Sequence, residues 1–214
     1  MCHFPDAGGD QCDGCGKLIN AVELINPKCK ICGAKPVIRQ SKHLFINLPK
    51  ITPELTEWVE SVKSNWSSNA VAFTDTLLKG GLIERCITRD LKWGTKVPLE
   101  EYADKVFYVW FDAPIGYISI TGNYTDKWEQ WWKNPENIEL YQFMGKDNIT
   151  FHTVIFPSTL IGTNENWTKL KQISTTEYLN YEIDPATGKP KKFSKRNSVG
   201  VFGDDAKKNW NPIR

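Results

Sequence analysis

Four cysteines constrain the N-terminal part of the chain more tightly than any other feature. Cys12-x-x-Cys15 and Cys29-x-x-Cys32 repeat one spacing, and each pair is followed by glycine, Gly16 and Gly33. A C-x-x-C-G turn points two thiolates at one ion, with glycine relieving the backbone where it curls back. Two such knuckles complete the closed four-thiolate shell expected of structural zinc. Two disulfides are the alternative. No apolar segment of signal-peptide type follows Met1, so the chain is expected in a reducing compartment, which argues against them. A thioredoxin-like redox pair would be single and set in a βαβ unit. Cys2 and His3 resemble the remnant of a second metal site, without a partner pair upstream. Cys86, between Arg85 and Ile87, is expected as a buried small hydrophobe. The double knuckle points to metal and is silent on function, since zinc ribbons serve nucleic-acid binders and structural inserts alike.

Beyond the knuckles the pattern is that of a packed domain. Of the 214 residues, 40% are hydrophobic and 24% charged, enough to build a core. The net charge of +2 does not announce a nucleic-acid binder, and no segment is apolar enough to cross a bilayer. The glycosylation-type triplets at Asn65, Asn123, Asn148 and Asn166 read as chance matches in a chain with no export signal. Residues 37–50 alternate as an extended segment ended by Pro49. A helix is expected from Thr52, as N-cap, with Pro53 at its first position. A second runs from about Ala70 to Lys79 and stops at Gly80-Gly81, and Leu82–Thr88 reads as a short strand. Val106–Phe111 and Ile138–Met144 are continuous apolar runs, the mark of strands buried on both faces of a parallel sheet. A helix over Phe151–Ile161, a strand over Gln172–Leu179 and a lysine-rich loop, Gly188–Arg196, complete an α/β rhythm.

In such sheets ligands gather beyond the carboxyl ends of the strands, and there the unusual polar residues cluster. Lys192-Phe193-Ser194-Lys195-Arg196 places two lysines around a hydroxyl, a set able to fold over a triphosphate and stabilise charge at the α-phosphorus and on departing pyrophosphate. A solvated lysine cluster is the plainer alternative for that string alone. Gly145-Lys146-Asp147 follows a strand, where glycine lets backbone N–H groups approach a ligand. His152, one turn into the next helix, faces the same crevice in this reading. Trp110 and Tyr117, around the turn Ala113-Pro114, are placed to wall an apolar pocket suited to a thioether, or else are simply core. Arg89 is a candidate partner of Asp147 at the floor of the crevice.

Taken together these strings resemble one family. Tyr108-Val-Trp-Phe-Asp-Ala-Pro-Ile-Gly-Tyr117, Phe143-Met-Gly-Lys-Asp147, Phe151-His-Thr-Val-Ile-Phe-Pro157 and Lys192-Phe-Ser-Lys-Arg196 stand in the order found in methionyl-tRNA synthetases. Gly9–Cys15 with Ala21–Leu24 is similar to the zinc-bearing connective insertion of eukaryotic cytosolic and archaeal members. The resemblance spans roughly Gly9 to Ala206. It implies the C-terminal half of a Rossmann-type, parallel-sheet catalytic domain (51–214) preceded by part of a zinc-knuckle insertion (1–50). It implies ATP-dependent attachment of methionine to its tRNA through methionyl-adenylate, with Mg on ATP and a structural zinc on Cys12, Cys15, Cys29 and Cys32. Trp110, Ala113, Pro114, Tyr117 and His152 then belong to the methionine pocket, and Gly145, Lys146, Asp147 and Arg89 to the adenylate crevice. Lys192, Ser194 and Lys195 match the catalytic signature loop. Phe193 is ordinary among eukaryotic members, Arg196 departs from the pattern, and Asp184–Lys191 looks longer than usual.

The family's H-I-G-H-type motif is expected upstream of this sequence and the anticodon-binding domain downstream. The sheet is therefore expected to be half built, with an exposed apolar edge, and the chain alone inactive. A cytoplasmic setting is implied, without a membrane, alongside the remaining synthetase segments or a multi-synthetase assembly. The alternatives are a non-catalytic zinc-knuckle module holding tRNA or a protein, or a remnant that does not fold stably.

Overall fold

The computed structural model describes residues 3–5, 7–9, 12, 19–177, 180–183, 188, 190–192 and 200–209. The chain divides into two compact units, Met1–Ile46 with Arg85–Val109, and Asn47–Glu84 with Trp110–Arg214.

The first unit is held by short antiparallel ladders. β1 (Phe45–Ile46) pairs with β2 (Arg85–Cys86), and β3 (Thr88–Arg89) pairs with β4 (Val106–Phe107). Extended structure expected over 37–50 and 82–88 thus contracts to two-residue pieces. A polar cluster ties these ladders together. The buried Lys105 ammonium donates to Asp90 at 2.6 Å and to Ser41 at 3.3 Å. His43 contacts the same carboxylate at 3.4 Å and the Thr88 hydroxyl at 2.9 Å. The Lys105 contact, with help from Ser41, holds the Asp90 carboxyl below its ordinary value. Cys86 is half-buried, not fully buried as expected, and its thiol donates to the Thr88 carbonyl at 3.3 Å.

The second unit begins with α1 (Leu48–Val62), which starts earlier than a cap at Thr52 suggests. Asn47 is the cap, its side chain accepting from the Lys50 amide at 3.0 Å, and Pro49 sits in the first turn. Pro49 lacks only an N–H that a first turn leaves unpaired anyway, so it opens the helix where it was expected to end a strand. Thr52 instead donates its hydroxyl back to the Leu48 carbonyl at 2.8 Å. α2 (Ser68–Gly80) ends at Gly81, whose φ of +78° suits glycine.

The apolar run 106–111 is not one buried strand. It leaves β4 after Phe107 and turns into a short helix, α3 (Val109–Asp112), with Val109 exposed. Periodicity cannot separate a buried strand from a helix in a run this short. α4 (Ile115–Tyr124) and α5 (Glu129–Trp132) follow.

Then comes the βαβ unit that organises this half. β5 (Leu140–Gly145) runs parallel to β6 (Leu170–Thr176), with Leu140 opposite Leu170 and Gly145 opposite Thr176. The crossover between them carries a π turn, Phe151–Ile155, and α6 (Phe156–Gly162). Pro157 explains the π turn. It has no N–H for the Thr153 carbonyl, and its ring pushes that carbonyl aside, so the backbone widens just before it. The core lies on one side of this pair, where Trp132, Phe156 and Leu160 pack with Leu140, Ile118, Trp128 and Trp167. α1 packs on α6 and buries Leu55 and Val59, and the buried Thr74 hydroxyl donates to Thr153 at 2.8 Å, joining α2 to the π turn.

The other face of β5 is open, contrary to the expected burial on both faces: Tyr141 is 48% and Phe143 76% exposed, and no described segment covers them. β7 (Asn180–Ile183) and β8 (Pro190–Lys192) pair antiparallel, so part of the stretch expected as a loop over Gly188–Arg196 is strand. α7 (Gly203–Asn209) closes the described chain.

Leu55 is fully buried. Leu55→Ala should destabilise the chain by about 2–5 kcal/mol through lost transfer energy and the cavity left behind. Thermal or urea denaturation followed by circular dichroism measures this, and a change under about 0.5 kcal/mol would contradict the α1–α6 packing.

Candidate functional site

The conspicuous residues of the second unit converge where α4 meets the π turn. Pro114 leads into α4, and the Gly116 amide donates to the Ala113 carbonyl at 2.9 Å. That turn brings Tyr117 to His152. The Tyr117 hydroxyl lies 2.8 Å from His152 Nε2, and His152 Nδ1 lies 2.8 Å from the Asn148 carbonyl. The carbonyl can only accept, so Nδ1 carries the proton and Nε2 accepts from tyrosine. His152 is 7% exposed. Burial pushes its imidazole below the ordinary value, against a smaller upward pull from Asn148, and favours the neutral ring.

Two further aromatic contacts lie in the same segments. Trp110, on helix α3 and not at a strand end, meets Phe151 edge-on, with ring centroids 4.6 Å apart. Tyr117 also lies 6.1 Å from the Phe156 ring. Phe151 and Asn148 were not singled out from sequence, although both lie inside the strings that carry the resemblance.

The carboxyl end of β5 supplies the polar group. Gly145 has φ −74°, and a Cβ there would meet nothing within 4 Å. Neither backbone nor internal packing demands glycine at this position. Lys146 and Asp147 follow in a single tight turn, Lys146–Asn148. The Lys146 ammonium is ion-paired with Glu177, beyond the end of β6. Lys192 ends β8, whereas Ser194 and Lys195 lie outside the described residues. Arg89 lies on β3 in the first unit, its guanidinium 3.6 Å from the centre of the Tyr108 ring and donating to the Thr88 carbonyl at 2.9 Å.

The second cysteine pair has the form of a knuckle. The Gly33 amide donates to the Cys29 carbonyl at 2.8 Å, and the Cys29 amide to Ala34 at 2.8 Å, with Gly33 at φ +71°. Backbone amides of Cys32 and then Ile31 point at the Cys29 sulfur and lower its pKa, which fits a metal-binding thiolate. Cys12 is buried, and Cys15 lies outside the described residues. Among the described residues no three metal-ligating side chains meet.

The family model for class I tRNA synthetases (M) matches residues 1–212. The chain belongs to that family. It is 62% identical over 208 residues to a probable cytoplasmic methionine–tRNA ligase of Dictyostelium discoideum, covering 96% of this chain and 27% of that protein. It is 59% identical over 214 residues to the cytoplasmic methionine–tRNA ligase of Arabidopsis thaliana, covering 99% and 26%. This synthetase segment thus spans about a quarter of the length of the curated relatives it matches. In fold it resembles the Mycobacterium tuberculosis methionyl-tRNA synthetase bound by methionyl-adenylate, with a TM-score of 0.60 and 20% identity over 80% of this chain and 34% of that one.

With its folded value depressed, His152 leaves the unfolded chain to take up the proton first as pH falls. Its contribution to stability is complete above about pH 6.5 and is lost as pH drops from there toward the folded value. Melting temperature should therefore decline between about pH 7 and 5.5, and less so in His152→Gln. An identical slope in both proteins would show that the ring is not held neutral.

Proposed function

We propose that this chain is the central segment of a cytoplasmic methionine–tRNA ligase, forming methionyl-adenylate from methionine and ATP and passing methionine to its tRNA. The observation that carries this reading is the Tyr117–His152 hydrogen bond, with Tyr117 also packed on Phe156 and Trp110 packed edge-on against Phe151, the chain neighbour of His152. It is assigned to a pocket for an uncharged, polarisable side chain. Ala113 and Pro114 set the turn that presents Tyr117. Aromatic edges favour the thioether through sulfur contacts. Such a pocket separates methionine from smaller apolar residues by roughly 1–3 kcal/mol per methylene.

The open space at Gly145 is where a ligand is proposed to lie against backbone, with Lys146 and Asp147 in the adenylate crevice. In the proposed step a carboxylate oxygen of methionine attacks the α-phosphorus, and the bond to pyrophosphate breaks with its electrons on the leaving group. Lys192 and Lys195, with Ser194 between them, are assigned to that developing charge, together with magnesium carried by ATP. Zinc on Cys12, Cys15, Cys29 and Cys32 is assigned a structural role in the first unit, which is proposed as the connective insertion. Association with a multi-synthetase assembly is part of the same proposal.

The test is methionine-dependent ATP–pyrophosphate exchange. It is run on the purified chain and on a chimera in which this segment replaces the matching part of the Saccharomyces cerevisiae relative, 58% identical over 207 residues. Exchange by the chimera that falls about a hundredfold or more in Lys195→Ala supports the assignment. A folded chimera without exchange rejects catalysis by this segment and leaves a zinc-knuckle module that binds tRNA or protein. Separately, metal analysis should find about one zinc per chain, lost together with folding of the first unit in Cys29→Ser. A folded, zinc-free protein would remove the metal assignment.

A further inference from the structure

We infer that Glu177, itself held by Asn69, is a positioning residue for Lys146 at the mouth of the proposed adenylate crevice. The inference rests on the assignment of Lys146 to that crevice. Lys146 follows β5, and Glu177 stands just beyond β6. These strands are parallel, with an even register from Tyr141 opposite Gln172 to Gly145 opposite Thr176, so both side chains emerge at one end of the pair. The two are ion-paired.

Glu177 does not hang free. Its Oε1 accepts from the Asn69 side-chain amide at 3.3 Å. The orientation of that amide is fixed by its other bonds. Its NH2 also donates to the Thr175 carbonyl at 3.3 Å, and its oxygen accepts from the Thr175 hydroxyl and from the Ala70 amide at 2.9 Å. Ser67 anchors the same corner, its hydroxyl accepting from the Thr175 amide at 3.2 Å. The entry to α2 is thereby fastened to the end of β6, with the NH2 of Asn69 aimed at Glu177. Lysine is a point charge on a four-carbon stem with much rotamer freedom. The network supplies what the stem lacks, a fixed carboxylate that holds the ammonium near the strand ends. Asn69 and Lys146 together also hold the Glu177 carboxyl below its ordinary value, with the lysine contact the larger influence. The pair is partly exposed, 35% for Lys146 and 62% for Glu177, so its effect is bounded by solvent screening.

The experiment uses the active chimera described above, comparing Lys146→Ala, Glu177→Ala, Glu177→Gln, Glu177→Asp and Asn69→Ala. Glu177→Ala and Glu177→Gln should raise the KM for ATP about two- to fivefold, the span of a partly exposed ion pair. The KM for methionine and the melting temperature should stay unchanged, the defect should shrink at high salt, and Glu177→Asp should recover part of it. Asn69→Ala should give a smaller shift in the same direction. If Lys146→Ala leaves the KM for ATP and kcat unchanged, the crevice assignment of Lys146 fails. If Lys146→Ala is impaired while Glu177→Gln matches the unmutated chimera, the positioning role fails alone. A Glu177 defect that tracks melting temperature, with both KM values moving together, would make the network structural only.

Discussion

Parallel pairing of β5 with β6 is the constraint on which the second unit depends. A parallel pair cannot be closed by a tight turn and needs a crossover of a dozen or more residues. Here the crossover is spent on the π turn and α6, which cover one face of the pair and bury Phe156 and Leu160 against Trp132. The same geometry sends both strand ends to one side. Lys146 therefore meets Glu177 without any local sequence relation between them. The chemistry assigned to this end of the sheet is a by-product of strand direction.

Much of that arrangement was legible in the residues. The run through Leu140–Met144 is short, apolar and stopped by Gly145-Lys146-Asp147, so strand and turn were both signalled. The 106–111 run was equally apolar and misleading, because its first two residues pair with Thr88 and Arg89 while Pro114, just downstream, caps a helix. Pairing across that distance leaves no periodic trace. Pro49 was read as a stop and is a start, since the cap that decides the matter, Asn47, lies in what looked like the end of a strand.

The candidate site divides in the same way. Tyr117, His152 and Lys146 stood out because they sit in strings of unusual composition. The hydrogen bonds linking them to their surroundings did not. Glu177 is a single acidic residue after a strand and Asn69 one polar residue near a helix start, and neither type nor spacing marks them. What selects them is a three-dimensional corner made by Ser67 and Thr175.

The hydrogen bonding of His152 limits what that residue can do. Both ring nitrogens are engaged by the protein, one donating to the Asn148 carbonyl and the other accepting from the Tyr117 hydroxyl. An imidazole so occupied has no lone pair to offer as a base and no proton to spare as an acid. It serves as a rigid wall whose dipole points in one direction. Nothing on the imidazole itself is then left to bond a newcomer, and whatever polar contact this corner can still make falls to the lone pairs of the Tyr117 oxygen.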